Sequence, residues 1–408
     1  MSALDADVLI AGAGLSGLSL AVALLDAGLP KTSRILLVDP RETLSGEDRT
    51  WCFFDVLPHA FEDAIAHRWT RWRVRDRHAE VVRASDGLAY CHLPGARFYA
   101  HALARLEAAG AQVRVLSGTT VEALDDRGAH VEARTSAGVL RARLAMDSRP
   151  PPLVEAAASP PRVEAPTSAQ RDRHVRLLQH FRGRVVHTQT PAFDSDTATL
   201  MDFDVTREHG IHFVYVLPFD AHTALVESTF FTGQLLPESV YERALDDWLA
   251  ARLPHHRFET RTREHGVIPM TTAPFDAWPS PRVVRLGLAG GHAKPSTGYA
   301  FLAVQRFVGA FAPRVVAALR ADTPAEPPPV RSPRTTALDT VFLSYLSRYP
   351  EHAPSTFFRL FDRVPPAVLL RFLSDTGTVA DDLRVMRSCE VARLSVEAAR
   401  MTLLLGRR

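Results

Sequence analysis

Lysine is nearly absent from this sequence. Lys31 and Lys294 are the only two, and arginine supplies the rest of the 48 basic side chains. That preference reads as composition bias rather than phosphate affinity. Against 46 acidic groups the formal net charge is only +2, which excludes the strongly basic footprint of a nucleic-acid-binding protein. Cysteine is scarce too. Cys52, Cys91 and Cys389 lie far apart, so neither a disulfide framework nor metal-ligand spacing is present, and a reducing, cytoplasmic setting is expected. No basic, then apolar, leader opens the chain, so no secretory signal is expected. No uninterrupted apolar run reaches the roughly 20 residues of a spanning helix. Contact with a membrane surface stays open.

What is present is ordinary globular composition. Apolar residues make up 46% and charged residues 23% of 408, enough chain for two or three structural units with a sizeable core. The run Asp7-Val8-Leu9-Ile10-Ala11 reads as a buried parallel strand. Leu15, Leu18, Val22 and Leu25 follow at helical spacing, with Gly28 to cap and Pro30 to stop the helix. Residues 34–39 form the next buried strand. A helix is predicted over 98–109, and short strands at 113–115, 131–133 and 140–146 read as a meander returning to the parallel sheet. A loop or crossover is expected over 149–161. Strand patterning dominates 175–231, with a hairpin closed by Pro218-Phe219-Asp220-Ala221. A buried strand at 283–288 precedes Gly290-Gly291, and 324–329 is proline-rich. Helix patterning fills 338–405. The expected division is a Rossmann-type unit over 1–174 completed by about 265–325, an antiparallel sheet over 175–264, and a helical part over 326–408.

Gly12-Ala13-Gly14-Leu15-Ser16-Gly17 is a GxGxxG placed between strand and helix. In that context it marks a dinucleotide site. Gly12 allows the tight turn, Gly14 admits a pyrophosphate at the helix N-terminus, and Gly17 lets helix and strand approach. Asp39 ends the second strand about 20 residues later, where a ribose-binding carboxylate belongs. The interrupting meander and the later Gly287–Gly291 cluster, followed by Lys294-Pro295-Ser296-Thr297-Gly298-Tyr299, favour FAD over NAD. They point to an α/β flavoprotein fold of the monooxygenase and reductase type.

With those motifs placed, the chain resembles the bacterial lycopene β-cyclases over nearly its whole length. The resemblance is carried in order by Gly46-Glu47-Asp48-Arg49-Thr50-Trp51-Cys52-Phe53, Asp147-Ser148-Arg149, Gln179-His180-Phe181 and Leu200-Met201-Asp202-Phe203. It continues through Leu225-Val226-Glu227-Ser228-Thr229, Gly266-Val267-Ile268-Pro269 and Pro295-Ser296-Thr297-Gly298-Tyr299. Ser228 stands where many members carry a second carboxylate, and Gly290-Gly291-His292-Ala293 is not the common form.

The resemblance implies a redox-neutral ring closure on the linear ends of lycopene. It implies FAD in its reduced form, with NAD(P)H as reductant. Such a site needs a strong, water-shielded acid and an anionic wall for a carbocation. A carboxyl in apolar surroundings stays protonated near neutrality. Glu227 is the first candidate, because alternation puts Leu225, Glu227 and Thr229 on one face after an apolar run. An exposed glutamate on an edge strand is the bland alternative. Asp202 is the second candidate, with a turn-bonded aspartate as its alternative. Phe181, Phe213, Tyr215, Phe230 and Tyr299 offer π faces. Arg97, Gly290, Gly291, Thr297 and Gly298 are candidate flavin contacts. A basic and apolar stretch, with Leu360, Phe361, Val364, Leu369, Leu370 and Phe372 beside Arg359, Arg363 and Arg371, is expected to meet a membrane surface. A monooxygenase or prenyl reductase on the same fold is the rival reading.

Overall fold

The computed structural model describes residues 4–45, 49–151 and 174–406. Most of the expected 149–161 crossover and three residues of the 46–53 motif lie outside them. Strand β1 (Ala6–Ala11) runs into helix α1 (Leu15–Asp26). That helix ends on Gly28 at φ 73°, with Gly28 N–H and Leu29 N–H returning to the Leu25 and Leu24 carbonyls.

β1 is central in a parallel row. β2 (Ile35–Val38) and β8 (Val113–Leu116) lie on one side, and β11 (Gly138–Asp147) and then β17 (Val283–Arg285) on the other. β10 (Val131–Thr135) pairs antiparallel onto the first half of β11, and β9 (Val121–Asp126) pairs antiparallel onto the outer side of β10. The 113–115 run therefore belongs to the parallel sheet rather than to the meander. Helix α2 (Gly95–Ala108) supplies the long crossover that parallel pairing needs. Leu18, Val22, Phe98, Phe307 and Phe311 fill the core between this sheet and its helices.

The second sheet has the order β16 (Phe258–Thr271), β12 (Arg176–Thr188), β15 (Thr223–Thr232), β14 (Ile211–Pro218), β13 (Thr197–Asp202), β5 (Arg71–Arg75), β6 (Glu80–Ala84). Sequence position alone assigns β5 and β6 to the first unit, but hydrogen bonding places them here. Both faces are covered, which explains the unbroken apolar run around Glu227. Val214, Val216 and Val226 pack on helix α3 (Glu238–Arg252), and Leu225, Phe213 and Phe231 pack toward the C-terminal helices. A small third sheet, β3 (Thr50–Phe54), β7 (Tyr90–Pro94) and β4 (His67–Trp69), joins the two.

Helix α4 (Phe301–Ala321) follows the late glycine cluster. Among the described residues it alone is long and apolar enough to cross a membrane, which the sequence reading did not expect. More than half of that window, 56%, is buried. Its Phe301, Phe307, Phe311 and Val315 are buried in the core beside α1, and its Gln305 donates to Ser19 of α1 at 2.9 Å. Five helices close the chain: α5 (Pro333–Arg348), α6 (Ala353–Arg363), α7 (Pro366–Leu373), α8 (Val379–Ser388) and α9 (Val391–Gly406). The stretch expected to face a membrane turns inward instead. Leu360, Phe361, Val364, Leu369 and Leu370 are buried against the second sheet. Arg359 and Arg371 pair with Glu390 and Asp381.

Candidate active site

The glycine turn between β1 and α1 has the shape of a phosphate cradle. Gly12 sits at φ 94°, and a Cβ there would approach Ser148 Oγ to 3.0 Å. Ser148 Oγ in turn donates to the Gly12 carbonyl at 2.7 Å. A Cβ on Gly17 would lie 2.0 Å from that same carbonyl, so helix and turn touch backbone to backbone. Gly14 differs: a Cβ there meets nothing within 4 Å. That open position lies at the α1 N-terminus, whose first turn carries no acidic residue to compete with an anion.

Asp39 is at the end of the strand as expected, but its carboxylate is already engaged. It accepts from Ala13 N–H at 2.7 Å and from Arg41 Nε at 2.8 Å, and Arg41 also donates to Tyr99 Oη at 3.0 Å. Burial pushes the Asp39 carboxyl up, but the hydrogen bonds from Arg41 and Ala13 outweigh it and hold the group below its ordinary range. Arg41 was missed in the sequence, where only its position beside Asp39 marks it. Arg97 is exposed on α2, and its hydrogen bond goes to the Asp63 carbonyl at 3.2 Å, not to the glycine turn.

The late cluster folds onto the same end of the first sheet. Gly287, at φ 63°, leaves room for Ser16, whose Oγ would lie 2.8 Å from a Cβ. Gly290 and Gly291 serve tight packing, since Cβ atoms would meet the Arg285 carbonyl at 2.4 Å and the Phe275 ring at 2.6 Å. Thr297 closes the turn before α4 by accepting from Tyr299 N–H at 3.4 Å. Gly298 abuts Gln179 of β12, with 2.2 Å between a Cβ and Oε1, and so joins the turn to the second sheet.

Glu227 lies on β15, 7% exposed, on the face shared with Leu225. Thr229 Oγ1 donates to its Oε1 at 2.7 Å. Its cross-strand neighbour on β14 is Tyr215, whose hydroxyl donates to Tyr90 Oη at 2.8 Å. Burial raises the Glu227 carboxyl well above the usual range, and the charge of Glu264 adds to this. Glu264 is a half-buried residue with its carboxyl end turned inward; burial raises it, opposed by hydrogen bonds from Glu227 and Thr50. Sequence reasoning passed over Glu264, although alternation along β16 puts it on the face of Gly266. Burial also holds the phenols of Tyr215 and Tyr90 and the thiol of Cys52 well above their ordinary values, and pushes Tyr299 to about 12. The arrangement is a neutral, aromatic-lined enclosure around one carboxyl pair.

Asp202 is elsewhere. It lies on the opposite face of the sheet, opposite Val214, and accepts from Trp248 Nε1 at 3.0 Å and Arg252 at 3.2 Å. Such a carboxylate anchors α3. Ser228 also faces that way and meets His212 Nε2 at 3.0 Å, so a carboxylate at 228 would not face Glu227. Phe230 stacks on His212 there at 4.0 Å. Phe181 shares the Glu227 face and covers Gly266. Phe213 packs edge-on against Phe203 and Phe231. His180 bonds Tyr241 and Thr232, and His292 bonds the Gly287 carbonyl, both in structural roles.

A family model described as lycopene cyclase protein matches residues 7–400. The lycopene beta-cyclase of Paracoccus sp. (strain N81106 / MBIC 01143) is 30% identical over 407 residues, spanning 93% of each chain. Among solved structures, a geranylgeranyl bacteriochlorophyll reductase-like protein from Thermoplasma acidophilum superposes with a TM-score of 0.63 at 13% identity, covering 96% of this chain and 98% of that one. The halogenase PltM, solved with phloroglucinol and FAD, gives 0.60 at 13% identity over 98% and 95%. Aklavinone-11 hydroxylase, solved with FAD and aklavinone, gives 0.56 at 18% identity over 78% and 64%. The fold is that of the FAD-dependent monooxygenases and reductases.

Proposed function

Because the chain belongs to the lycopene cyclase family, we propose that it closes the linear end groups of lycopene into β-rings without net redox change. The observation that carries this reading is Glu227: a buried carboxyl, raised well above its usual range, inside an enclosure of neutral aromatic and hydroxyl groups. An alkene is a very poor base, so a proton donor must be held against it in a dry site. Glu227 gives its proton to the terminal double bond. The neighbouring double bond attacks the tertiary cation, and the ring cation then loses a proton. Tyr215, Tyr90 and Tyr299 exclude water that would trap the cation as an alcohol, and their rings face it with π density.

The residues present fit FAD. The turn at Gly12 and Gly14 would take the pyrophosphate, with Gly17 holding the helix against that turn, Asp39 with Arg41 the ribose end, and the 287–298 turn the flavin side. Bound in its reduced form, with NAD(P)H as reductant, FAD supplies a planar anion that favours the cation. A polyene substrate resides in membrane, so the enzyme works at a membrane surface. Supporting this, α8 leaves Val379, Leu383 and Met386 61%, 49% and 43% exposed on one side, beside the exposed Arg384 and Arg387.

The test is pigment analysis in a lycopene-accumulating bacterium carrying this gene or its Glu227→Gln variant. The native gene should yield cyclised carotenoid and the variant should leave lycopene, while both bind flavin. Near-normal turnover by Glu227→Gln would remove Glu227 from the mechanism.

A further inference from the structure

Glu264 is far from Glu227 in the sequence, yet the second sheet brings them together. Strand β12 runs between their strands, and Gly183 is the register partner of both. A Cβ on Gly183 would stand 3.1 Å from Glu264 Cγ and 3.5 Å from Glu227 Cβ, so the glycine leaves the space in which the two side chains meet. The two side chains share that space, and the charge of Glu264 raises the Glu227 carboxyl further. Two carboxylates have only acceptors, so a direct contact between them needs a proton between them. The remaining surroundings are neutral hydroxyls: Thr229 donates to Glu227 at 2.7 Å, and Thr50 lies near enough to Glu264 to lower it. Among the described residues no arginine or lysine pairs with either group.

We propose that Glu264 shares a single proton with Glu227 and is the positioning residue of the proton donor, so that the pair rather than Glu227 alone cycles during ring closure. This rests on Glu227 being the acid. The resting pair holds one proton and one negative charge. Glu227 transfers the proton to the terminal alkene carbon, whose π electrons form the new C–H bond. The substrate then carries one positive charge and faces two carboxylates. The π electrons of the neighbouring double bond form the ring C–C bond. The ring cation returns a proton to the pair, and the electrons of that C–H bond become the ring double bond. No electron leaves the substrate. Glu264 thus has two effects. Its charge keeps Glu227 protonated at neutral pH, and it doubles the negative charge facing the cation.

The groups nearest the pair are Tyr215 on β14, the register partner of Glu227, and Cys52 on β3, with Tyr90 on β7 and Tyr299 before α4 next to them; burial raises all four. The alkaline limb of the rate profile therefore reports the last proton of the pair. The test is Glu264→Gln in the flavin-loaded enzyme, with kcat and KM for lycopene in liposomes measured across pH. Losing the like charge, and gaining an amide donor that favours ionised Glu227, both lower the Glu227 pKa. The limb should move to lower pH by about one unit, and kcat should fall about tenfold or more, while KM and flavin content hold. Glu264→Asp keeps a charge and should keep the limb near its native position with reduced kcat. If the glutamine variant loses flavin, the aspartate variant decides: a limb displaced to lower pH overturns the proposal. A Glu264→Gln enzyme with native kcat and native limb also overturns it, leaving Glu227 as a lone acid. An active Glu227→Gln enzyme instead defeats the underlying assignment.

Discussion

Gly14 and Gly17 lie three residues apart in one turn, and their substitution should have opposite consequences. At Gly17 an added methyl would stand 2.0 Å from the Gly12 carbonyl oxygen, about 1.4 Å inside ordinary contact. The oxygen belongs to the backbone of a turn pinned by Ser148, so it has no rotamer to retreat into. The helix must shift, at a cost of about 3 kcal/mol or more, the upper range for overpacking. Gly14 has φ −85° and ψ −164°, an extended conformation open to any residue, and empty space where a Cβ would go. Gly14→Ala should leave the flavin-free protein unchanged, or stabilise it by about 0.4–1 kcal/mol through the unfolded chain. The bulkier Gly14→Val should still fold yet lose flavin, because its branches fill the pyrophosphate position. The assay pairs thermal unfolding of the flavin-free proteins with the flavin absorbance that each retains on purification. Gly17→Ala should melt several degrees low. Stoichiometric flavin in Gly14→Val, or a native melting point in Gly17→Ala, would refute the division of labour.

Three further outcomes are expected. With reduced FAD under anaerobic conditions many rings should form per flavin. In deuterated buffer each ring should gain one deuterium, as the carboxyl pair re-exchanges between turnovers, whereas one-to-one consumption of NAD(P)H would mark a redox enzyme. Asp202→Asn should cost stability, about 3 kcal/mol for a buried ion pair losing a partner, but the folded fraction should turn over normally, which an acid at 202 forbids. Serine at Val379, Leu383 and Met386 together should weaken sedimentation with anionic vesicles without altering the melting point, since those side chains are exposed; Leu360→Ser should lower the melting point instead, and unchanged vesicle binding by the triple variant would exclude this face.

The parts of the molecule legible in the sequence are those governed by short spacings. The β1–α1–β2 unit announces itself because three glycines, a buried strand and a helical repeat fall within about 40 residues. Each glycine answers to a local demand, as the Gly12 dihedral and the Gly17 contact show. Glu227 was legible for a similar reason. Strand alternation places it on the face of Leu225, and the covered sheet explains the apolar run it interrupts. The 360–372 stretch misled because an amphipathic helix has the same pattern whether its apolar face meets lipid or protein. Here the second sheet is its partner.

The sequence by itself determined the local chemistry: a dinucleotide turn, a glutamate in an apolar strand, and a helical tail. Backbone dihedral needs and side-chain periodicity are properties of neighbouring residues, so they survive in the linear chain. Only the tertiary structure decided which carboxylates meet. The sequence offers Glu227 first and Asp202 second as the acid, and the pairing of β13 and β14 sends Asp202 to the α3 face. Glu264 has no local mark of function, yet antiparallel register through Gly183 sets it against Glu227. A shift of one residue in that register would turn Glu264 to the other face. The register is set by long-range hydrogen bonding and by burial on both faces of the sheet, and neither is present until the chain has folded.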